Sequence, residues 1–145
     1  MNILIVGGAG YIGSHMAKIL VRSGYSVTVL DNLSTGHAQA VVYGKLVVGD
    51  IADKDFLDEL FESDQFDAVM HFAANSLVGE SISSPAKYYR NNVANTLNLL
   101  DVMIAHEVKN FVFSSSAAIF GEPQYIPIDE SHIQSPINPY GNSKM

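Results

Sequence analysis

A cluster of glycines near the N-terminus constrains the fold of this chain more than any other feature. Residues 3–6 form a short apolar run, residues 7–13 read Gly-Gly-Ala-Gly-Tyr-Ile-Gly, and a helical pattern follows over residues 12–22. Glycine permits a tight turn and a close approach to the backbone, and a helix N-terminus attracts anions. This order of strand, turn and helix predicts a phosphate-binding βα unit with Gly7, Gly10 and Gly13 in the turn.

The rest of the chain continues the alternation of short apolar runs and helical patterns. The runs at residues 3–6, 27–30, 46–48, 68–72 and 111–113 indicate strands that are buried on both faces, as parallel sheets require. We therefore predict an α/β fold with a doubly wound parallel sheet of the Rossmann type, formed by one domain over residues 1–145. Residues 123–139 contain four prolines and are predicted to form a long loop.

Helical spacing predicts which faces of three helices are buried. In the first helix the expected inward residues are Ile12, Met16, Ile19 and Leu20. In the second, which begins after Asp53 as its N-cap, they are Phe56, Leu57, Leu60 and Phe61. In the third, from about residue 85 to 106, they are Val93, Leu97, Leu100 and Ile104.

Composition and charge exclude several classes of function. The chain has 145 residues, 48% of them hydrophobic, and a formal net charge of −7. Such a chain can fill the core of one domain, and its charge disfavours nucleic acid or an anionic membrane as a partner. It has no cysteine and no histidine pattern that indicates a metal site. The first apolar run is too short for a signal peptide or a membrane span, which makes the cytoplasm the default location.

An aspartate directly follows the second predicted strand. Asp31 lies about twenty residues beyond the glycine turn, where a carboxylate can accept hydrogen bonds from both hydroxyls of an adenosine ribose. The same negative charge would repel a 2′-phosphate, and no arginine adjoins it. The pattern therefore predicts NAD rather than NADP as the cofactor.

A tyrosine–lysine pair near the C-terminus indicates catalysis. Tyr140 and Lys144 are four residues apart and share one face of a helix. A lysine cation favours the phenolate, which can remove a hydroxyl proton while hydride leaves the same carbon. Ser114-Ser115-Ser116 follows the fifth predicted strand, where such sheets place active sites. Alone, the pair is typical of an exposed helix, but together with the glycine turn it predicts an enzyme.

Taken in order, these motifs resemble the extended short-chain dehydrogenase/reductase family, and within it the nucleotide-sugar epimerases. The matching stretches are residues 7–15, 31–33, 49–51, 71–74, 78–81, 88–89, 91–93, 114–117 and 139–144. None of these stretches is specific alone, whereas the whole series at these spacings is highly specific.

The resemblance implies a role for each candidate residue. Tyr140 is the base, Lys144 binds the nicotinamide ribose and tunes Tyr140, and Ser116 assists at the sugar oxygen. The implied cofactor contacts are Gly7, Gly10, Tyr11, Ile12 and Gly13 at the pyrophosphate, Asp31, Asn32, Leu33, Ser34, Thr35 and Gly36 around the adenosine ribose, Asp50 and Ile51 at the adenine, and Phe72, Ala73, Ala74, Asn91 and Ser114, with Tyr140 and Lys144, along the rest of the dinucleotide.

The activity that the resemblance implies is epimerisation of UDP-glucose and UDP-galactose at C4, a reaction of galactose metabolism, through a 4-keto sugar and with NAD retained. It also implies a homodimer that pairs through the helix after Pro85. Family members continue for roughly as many residues again and add a UDP-sugar domain. We therefore expect residues 1–145 to be inactive alone, and the turn at residues 140–145 to fray unless other chain holds it.

Residues at single positions distinguish epimerisation from other functions. Ser76 stands where many epimerases carry lysine, so a cationic contact to the cofactor phosphates is expected to be absent. Ala117-Ala118 stands where a dehydratase carries its Asp-Glu pair, which excludes elimination. A UDP-glucuronate decarboxylase stays open because its distinguishing residues lie partly outside this chain. A non-catalytic NAD-binding module, which needs only the glycine turn, is the alternative from another class.

Overall fold

A computed structural model describes all residues from 1 to 145 and contains a five-stranded parallel sheet. The strands are β1 (Asn2–Val6), β2 (Ser26–Asp31), β3 (Lys45–Val48), β4 (Ala68–His71) and β5 (Asn110–Phe113). Their order is β3-β2-β1-β4-β5, and every neighbouring pair is parallel. The predicted fold class and all five predicted strands are confirmed, with ends that differ by at most one residue.

The helices alternate with the strands along the chain. They are α1 (Tyr11–Arg22), α2 (Lys54–Ser63), α3 (Val78–Ser83), α4 (Pro85–Tyr89), α5 (Asn95–Ala105) and α6 (Pro139–Lys144), with a π-helical turn at Arg90–Ala94 and 3₁₀ turns at Ala38–Ala40 and Ala117–Phe120. Residues 121–138 contain no helix or strand, as predicted for that loop. None of these helices combines the length and the hydrophobicity that crossing a membrane requires.

Burial differs between the central and the edge strands. Strands β1 and β2 are almost wholly buried, whereas β3 and β5 are only partly buried, with Val48 and Val112 exposed. The expectation that all five strands are buried on both faces is therefore wrong for the two edges. An edge strand pairs with one neighbouring strand only. The spacing of its apolar residues does not show whether a strand lies at the edge or in the centre of the sheet.

The buried face of α1 differs from the predicted one. Ile12 and Ile19 are each 57% exposed, and the buried residues are Gly13 and Ala17. Met16 and Leu20 pack at the margin of the core. Small side chains let the helix approach the sheet closely, so hydrophobic size alone selects the wrong face.

Helix α5 also turns a different face to the core than its spacing predicted. Leu97 is exposed and Ile104 is 76% exposed, Val93 in the π-helical turn is exposed, and Leu100 only packs at the margin of the core. The buried residues are Thr96, Leu99, Val102 and Met103. A π-helical turn carries an extra residue, so a face counted from residue 93 does not continue along α5.

The start and buried face of α2 agree with the sequence. Asp53 is the N-cap, and its carboxylate accepts a hydrogen bond from the Phe56 amide at 3.1 Å. Leu57, Leu60 and Phe61 are buried, with Phe56 packed beside them. A capping carboxylate followed by regularly spaced apolar residues predicts both the start and the buried face of a helix.

The chain divides into two compact units. The sheet unit comprises residues 1–73 and 95–114 and contains all five strands with α1, α2 and α5. Its hydrophobic core forms two clusters, one containing Leu4, Leu30 and Val69 and the other Ile5 and Val29. The helical unit comprises residues 74–94 and 115–145 and contains α3, α4, the π-helical turn and α6.

Candidate functional site

In the sheet unit, the glycine turn packs directly on the chain that follows β4. Gly7 has a φ of +80°, and a Cβ at this position would lie 2.4 Å from the amide nitrogen of Ala73. The amides of Phe72 and Ala73 both donate to the carbonyl of Val6, at 2.8 and 3.1 Å. Positive φ and close approach together require glycine at position 7.

The residues after the turn begin helix α1. Gly10 is its N-cap and supplies no capping side chain, while its own amide donates to Gly7 O at 3.3 Å. Tyr11 and Ile12, the first helical residues, have exposed side chains. The first amides of α1 therefore have no side-chain acceptor, which is the arrangement that binds phosphate in dinucleotide folds.

The carboxylate of Asp31, at the end of β2, is bonded by the backbone on both sides. Its Oδ2 accepts from the Ala9 amide at 2.9 Å, and its Oδ1 accepts from the Leu33 amide at 2.9 Å. The loop that continues from Asp31 contains the exposed Ser34 and Thr35 and the buried Gly36. The structure thus brings the predicted ribose residues to the glycine turn.

The two residues predicted at the adenine follow β3. Asp50 accepts from the Asn32 side chain at 2.8 Å and from the Ala52 amide at 2.8 Å. Ile51 is buried in the core, and its carbonyl accepts from Asn98 at 3.3 Å. Asp50 is therefore bonded to the loop that follows Asp31, whereas the side chain of Ile51 is part of the core. Ser114, after β5, donates its amide to His71 O at 3.1 Å.

In the helical unit, Tyr140 and Lys144 lie one turn apart on α6. Asn138 caps this helix and accepts from the Gly141 amide at 2.8 Å. Lys144 is only 4% exposed, and burial lowers the pKa of Lys144 to about 8. The ammonium therefore remains largely protonated at pH 7, and a buried cation of this kind can favour a nearby phenolate.

Side chains elsewhere in the helical unit hold this short helix in place. Asn92 donates to Ser143 Oγ at 2.9 Å, and Ser115 donates to the Lys144 carbonyl at 3.0 Å. Asn142 donates to the Tyr89 hydroxyl at 2.6 Å. These three hydrogen bonds give α6 partners elsewhere in the helical unit, and the fraying expected of this turn stays a prediction.

Ser116 lies in a turn that touches α6. It caps the 3₁₀ turn Ala117–Phe120, and its Oγ accepts from the Ala118 amide at 3.1 Å. A Cβ at Gly141 would lie 2.4 Å from the Ala118 carbonyl oxygen. Accepting this bond leaves the Ser116 hydroxyl hydrogen able to donate to a substrate oxygen.

Sequence reasoning missed the most connected side chain of the helical unit. It selected Asn91, which donates to Asn92 at 2.9 Å. Asn92 itself is 3% exposed, accepts from the Asn75 amide at 2.9 Å, and donates to the Asn75 carbonyl at 3.0 Å as well as to Ser143. Its signal was an amide within an apolar helical pattern. Ala74 precedes this network and is half-buried.

A second phenol lies beside Tyr140. The rings of Tyr88 and Tyr140 meet edge-on with centroids 6.4 Å apart. The fully buried Tyr88 hydroxyl accepts from the Leu77 amide and lies 2.7 Å from Glu80 Oε2. Burial raises the pKa of Tyr88, and the hydrogen bond to the Glu80 carboxylate raises it further. This phenol therefore keeps its proton, which makes Tyr140 the better candidate base.

Fold and residues together define a class of protein. A parallel sheet in this order, with a glycine turn after β1 and a carboxylate after β2, is the Rossmann arrangement that binds dinucleotides. Tyr140, Lys144 and Ser116, in the helical unit, are of the residue types that sequence analysis selected as candidate catalytic groups. The chain belongs to the NAD dependent epimerase/dehydratase family, whose model matches residues 3–145.

Individual relatives agree with this assignment. The UDP-glucose 4-epimerase of Halalkalibacterium halodurans is 53% identical over 145 residues, which are 100% of this chain and 43% of that protein. The UDP-glucose 4-epimerase of Rhizobium meliloti is 52% identical over 143 residues, 99% of this chain and 44% of that protein. The chain therefore spans less than half the length of these relatives.

Solved structures show the same likeness. The crystal structure of UDP-glucose 4-epimerase from Brucella ovis in complex with NAD has a TM-score of 0.96 and 54% identity, covering 99% of this chain and 44% of its own. The enzyme from Bifidobacterium longum in complex with NAD⁺ and UDP has a TM-score of 0.94 and 37% identity, covering 99% of this chain and 46% of its own.

Proposed function

We propose that this chain is the NAD-binding and catalytic-pair portion of a UDP-glucose 4-epimerase that acts in galactose metabolism. One observation carries the proposal: the glycine turn with Asp31 and the Tyr140–Lys144–Ser116 set occur together in a chain that is 53% identical to such an epimerase. A binding module would need only the first of these two sets.

The sheet unit would hold the adenosine and pyrophosphate of NAD. The pyrophosphate would lie on the amides of Tyr11 and Ile12, next to Gly7, Gly10 and Gly13. Asp31 would accept the ribose hydroxyls within the loop of residues 32–36 (Asn32, Leu33, Ser34, Thr35 and Gly36), and Asp50 with Ile51 would contact the adenine. The remaining cofactor contacts that we propose are Phe72, Ala73, Ala74, Asn91 and Ser114.

The helical unit would supply the catalytic groups. Tyr140 would take the proton of the sugar 4-hydroxyl and return it at the end of the reaction, and Ser116 would donate a hydrogen bond to the same oxygen. Lys144 would stabilise the phenolate through its positive charge. NAD, when bound, would supply the hydride acceptor and donor for C4 of the sugar, so the reaction would have no net change of redox state.

We further propose that residues 1–145 alone bind NAD but do not epimerise, because they cover less than half of the related enzymes. A homodimer is proposed from helix α5, where the exposed Leu97 and Ile104 lie two turns apart on one face. A cytoplasmic location is proposed because the chain has no cysteine that an oxidising compartment would pair.

The test combines a binding measurement with a chimera. The purified chain is titrated with NAD by calorimetry, and residues 1–145 are joined to the remaining residues of the Halalkalibacterium halodurans relative. We expect NAD binding by the chain, conversion of UDP-galactose by the chimera, and a loss of at least about 100-fold in kcat with Tyr140→Phe while NAD stays bound.

Each other outcome assigns another function. Turnover of UDP-glucuronate in place of UDP-galactose would indicate a decarboxylase. NAD binding with no turnover in a folded chimera would indicate a binding module, and turnover that survives Tyr140→Phe would remove the proposed base.

A further inference from the structure

Both oxygens of the Asp31 carboxylate accept a hydrogen bond from a backbone amide. It is 9% exposed, and each of its oxygens accepts one amide hydrogen, from Ala9 at 2.9 Å and from Leu33 at 2.9 Å. The two donors belong to different segments, since Ala9 lies in the glycine turn and Leu33 in the loop after β2. One side chain thus connects the two segments that the proposed cofactor needs.

The same two segments are joined a second time around Ala9. The His37 amide donates to the Ala9 carbonyl at 3.0 Å, so both polar groups of the Ala9 residue are bonded by residues 31–37. A Cβ on the buried Gly36 would lie 2.9 Å from Ala9 Cβ and 3.0 Å from Asp31 Oδ1. The loop therefore closes over Ala9 with no room for a larger residue.

Leu33 has a backbone conformation that needs support. Its φ is +57°, in the left-handed region that is unfavourable for a leucine. In this conformation its amide donates to Asp31 Oδ1, and hydrogen bonds to an ionised acceptor are stronger than neutral ones. Backbone strain of this kind persists only where the surrounding structure supports it, and here the Asp31 carboxylate supplies that support.

We propose that Asp31 is a positioning residue of the cradle, which fixes the glycine turn and the ribose loop relative to each other. A carboxylate has about four lone-pair directions, of which the two amides use two. Each oxygen therefore keeps one lone-pair direction that a hydroxyl of a ribose diol could use without replacing a backbone hydrogen bond.

The positioning role of Asp31 also affects the choice between NAD and NADP, a point that rests on the proposed function. A 2′-phosphate would meet the Asp31 charge, and removing that charge also removes the acceptor for Ala9 or Leu33. Asp31→Asn is therefore not expected to convert the site to NADP, because the substitution that removes the charge also removes an acceptor that joins the two segments.

The test measures amide hydrogen exchange by NMR in the purified chain without cofactor. In the wild-type chain we expect the amides of Ala9 and Leu33 to exchange at least tenfold more slowly than that of Thr35, an exposed residue of the same loop. In Asp31→Asn one acceptor oxygen becomes an NH₂ group that faces a donor, so at least one of the two amides should exchange at least tenfold faster.

Asp53→Asn is the matched control. It makes the same change of charge at the cap of α2, where asparagine caps as well as aspartate, and should leave exchange at Ala9 and Leu33 within twofold of wild type. Unchanged exchange in Asp31→Asn would overturn the proposal. If Asp31→Asn does not fold, the exchange rates of the wild-type chain still test the proposal. Fast exchange of the Ala9 and Leu33 amides in the wild-type chain would also overturn it.

A binding arm separates this proposal from the proposed function. NAD and NADP are titrated into wild type and Asp31→Asn by calorimetry. We expect Asp31→Asn to bind NAD at least tenfold more weakly and to bind NADP no better than wild type binds NAD. An NADP affinity equal to that of wild type for NAD would overturn the link to cofactor selection. Protected amides in a wild-type chain that binds no NAD would leave the positioning role intact and refute the cofactor.

Discussion

The two units of this chain are stabilised by different kinds of interaction. In the sheet unit most buried residues are apolar, the polar ones being Thr28, Asp31, His71 and Thr96, and the strands β1, β2 and β4 supply the centre of its core. In the helical unit the buried apolar residues are Tyr88 and Ile119, whereas its buried polar residues are Ser81, Asn92, His132, Ser143 and Lys144. The sheet unit is thus stabilised mainly by apolar packing, to which the Asp31 hydrogen bonds are added at the proposed cradle. The proposed catalytic groups are stabilised by a hydrogen-bond network.

This contrast predicts how each unit responds to substitution. Apolar packing tolerates small changes that keep volume, but it does not tolerate a new atom where two backbones touch. A buried polar network fails when one partner is removed, because the others are left unsatisfied. Four substitutions separate the two cases.

The largest effect is expected at the glycine turn. Gly7→Ala combines a φ of +80° with a Cβ only 2.4 Å from the Ala73 amide, so we expect a loss of about 3–4 kcal/mol in the free energy of unfolding. Gly24→Ala is the control, since Gly24 has a φ of +87° but open space around its Cβ, and should cost about 1 kcal/mol. Urea denaturation measures both, and equal losses would refute the close approach.

In the helical unit the largest effect is expected at Asn92. Asn92→Ala leaves the Asn75 backbone and the Ser143 hydroxyl without their partner, which should cost about 2–3 kcal/mol. Asn142→Ala removes one exposed hydrogen bond, to Tyr89, and should cost less than about 1 kcal/mol. A loss at Asn92 no greater than the loss at Asn142 would show that the network does not stabilise this unit.

A pH-dependent effect is expected from Lys144. Its pKa is about 8 in the folded chain against an ordinary value of 10.5, so between these values the unfolded chain binds more protons. Raising the pH through this window therefore stabilises the folded state, and below pH 8 the burial penalty is constant. The free energy of unfolding of wild type, measured relative to Lys144→Met, should rise from pH 8 to 10.5. A flat or falling difference would contradict the buried cation.

The smallest effect is expected at the surface of the sheet unit. Glu107 follows α5 with a φ of +57°, and the next amide, that of Val108, donates to Met103 O at 2.8 Å, which is a Schellman-type helix end that favours glycine. Glu107→Gly should raise the free energy of unfolding by about 0.5–1 kcal/mol in thermal denaturation. Destabilisation would mean that the Glu107 side chain has a role that its exposed position does not suggest.

The contrast between the units also explains what the sequence could predict. The five strands and the start of α2 at Asp53 follow from local apolar patterns, and these predictions are confirmed. The faces of α1 and α5 were wrong because small residues approach the sheet and because a π-helical turn shifts the spacing. Local periodicity contains neither kind of information.

The residues of the candidate site also differ in how well the sequence alone predicts them. The glycine turn and Asp31 have a fixed spacing along the chain, so the sequence indicates them directly. Asn92, in contrast, donates a hydrogen bond to Ser143, which is 51 residues away along the chain. Contacts of that separation have no signature in a single sequence, and a buried amide in an apolar helix is the only hint that they exist.

The most direct test of the central claim is the amide NMR spectrum of the chain during titration with NAD. We predict saturable shifts of the amides of Ala9, Leu33 and Ala73, with no shifts at Asp67 and Val108, which line a cleft of about 370 Å³ elsewhere in the sheet unit. Shifts confined to that cleft, or an unchanged spectrum at saturating NAD, would contradict the dinucleotide cradle.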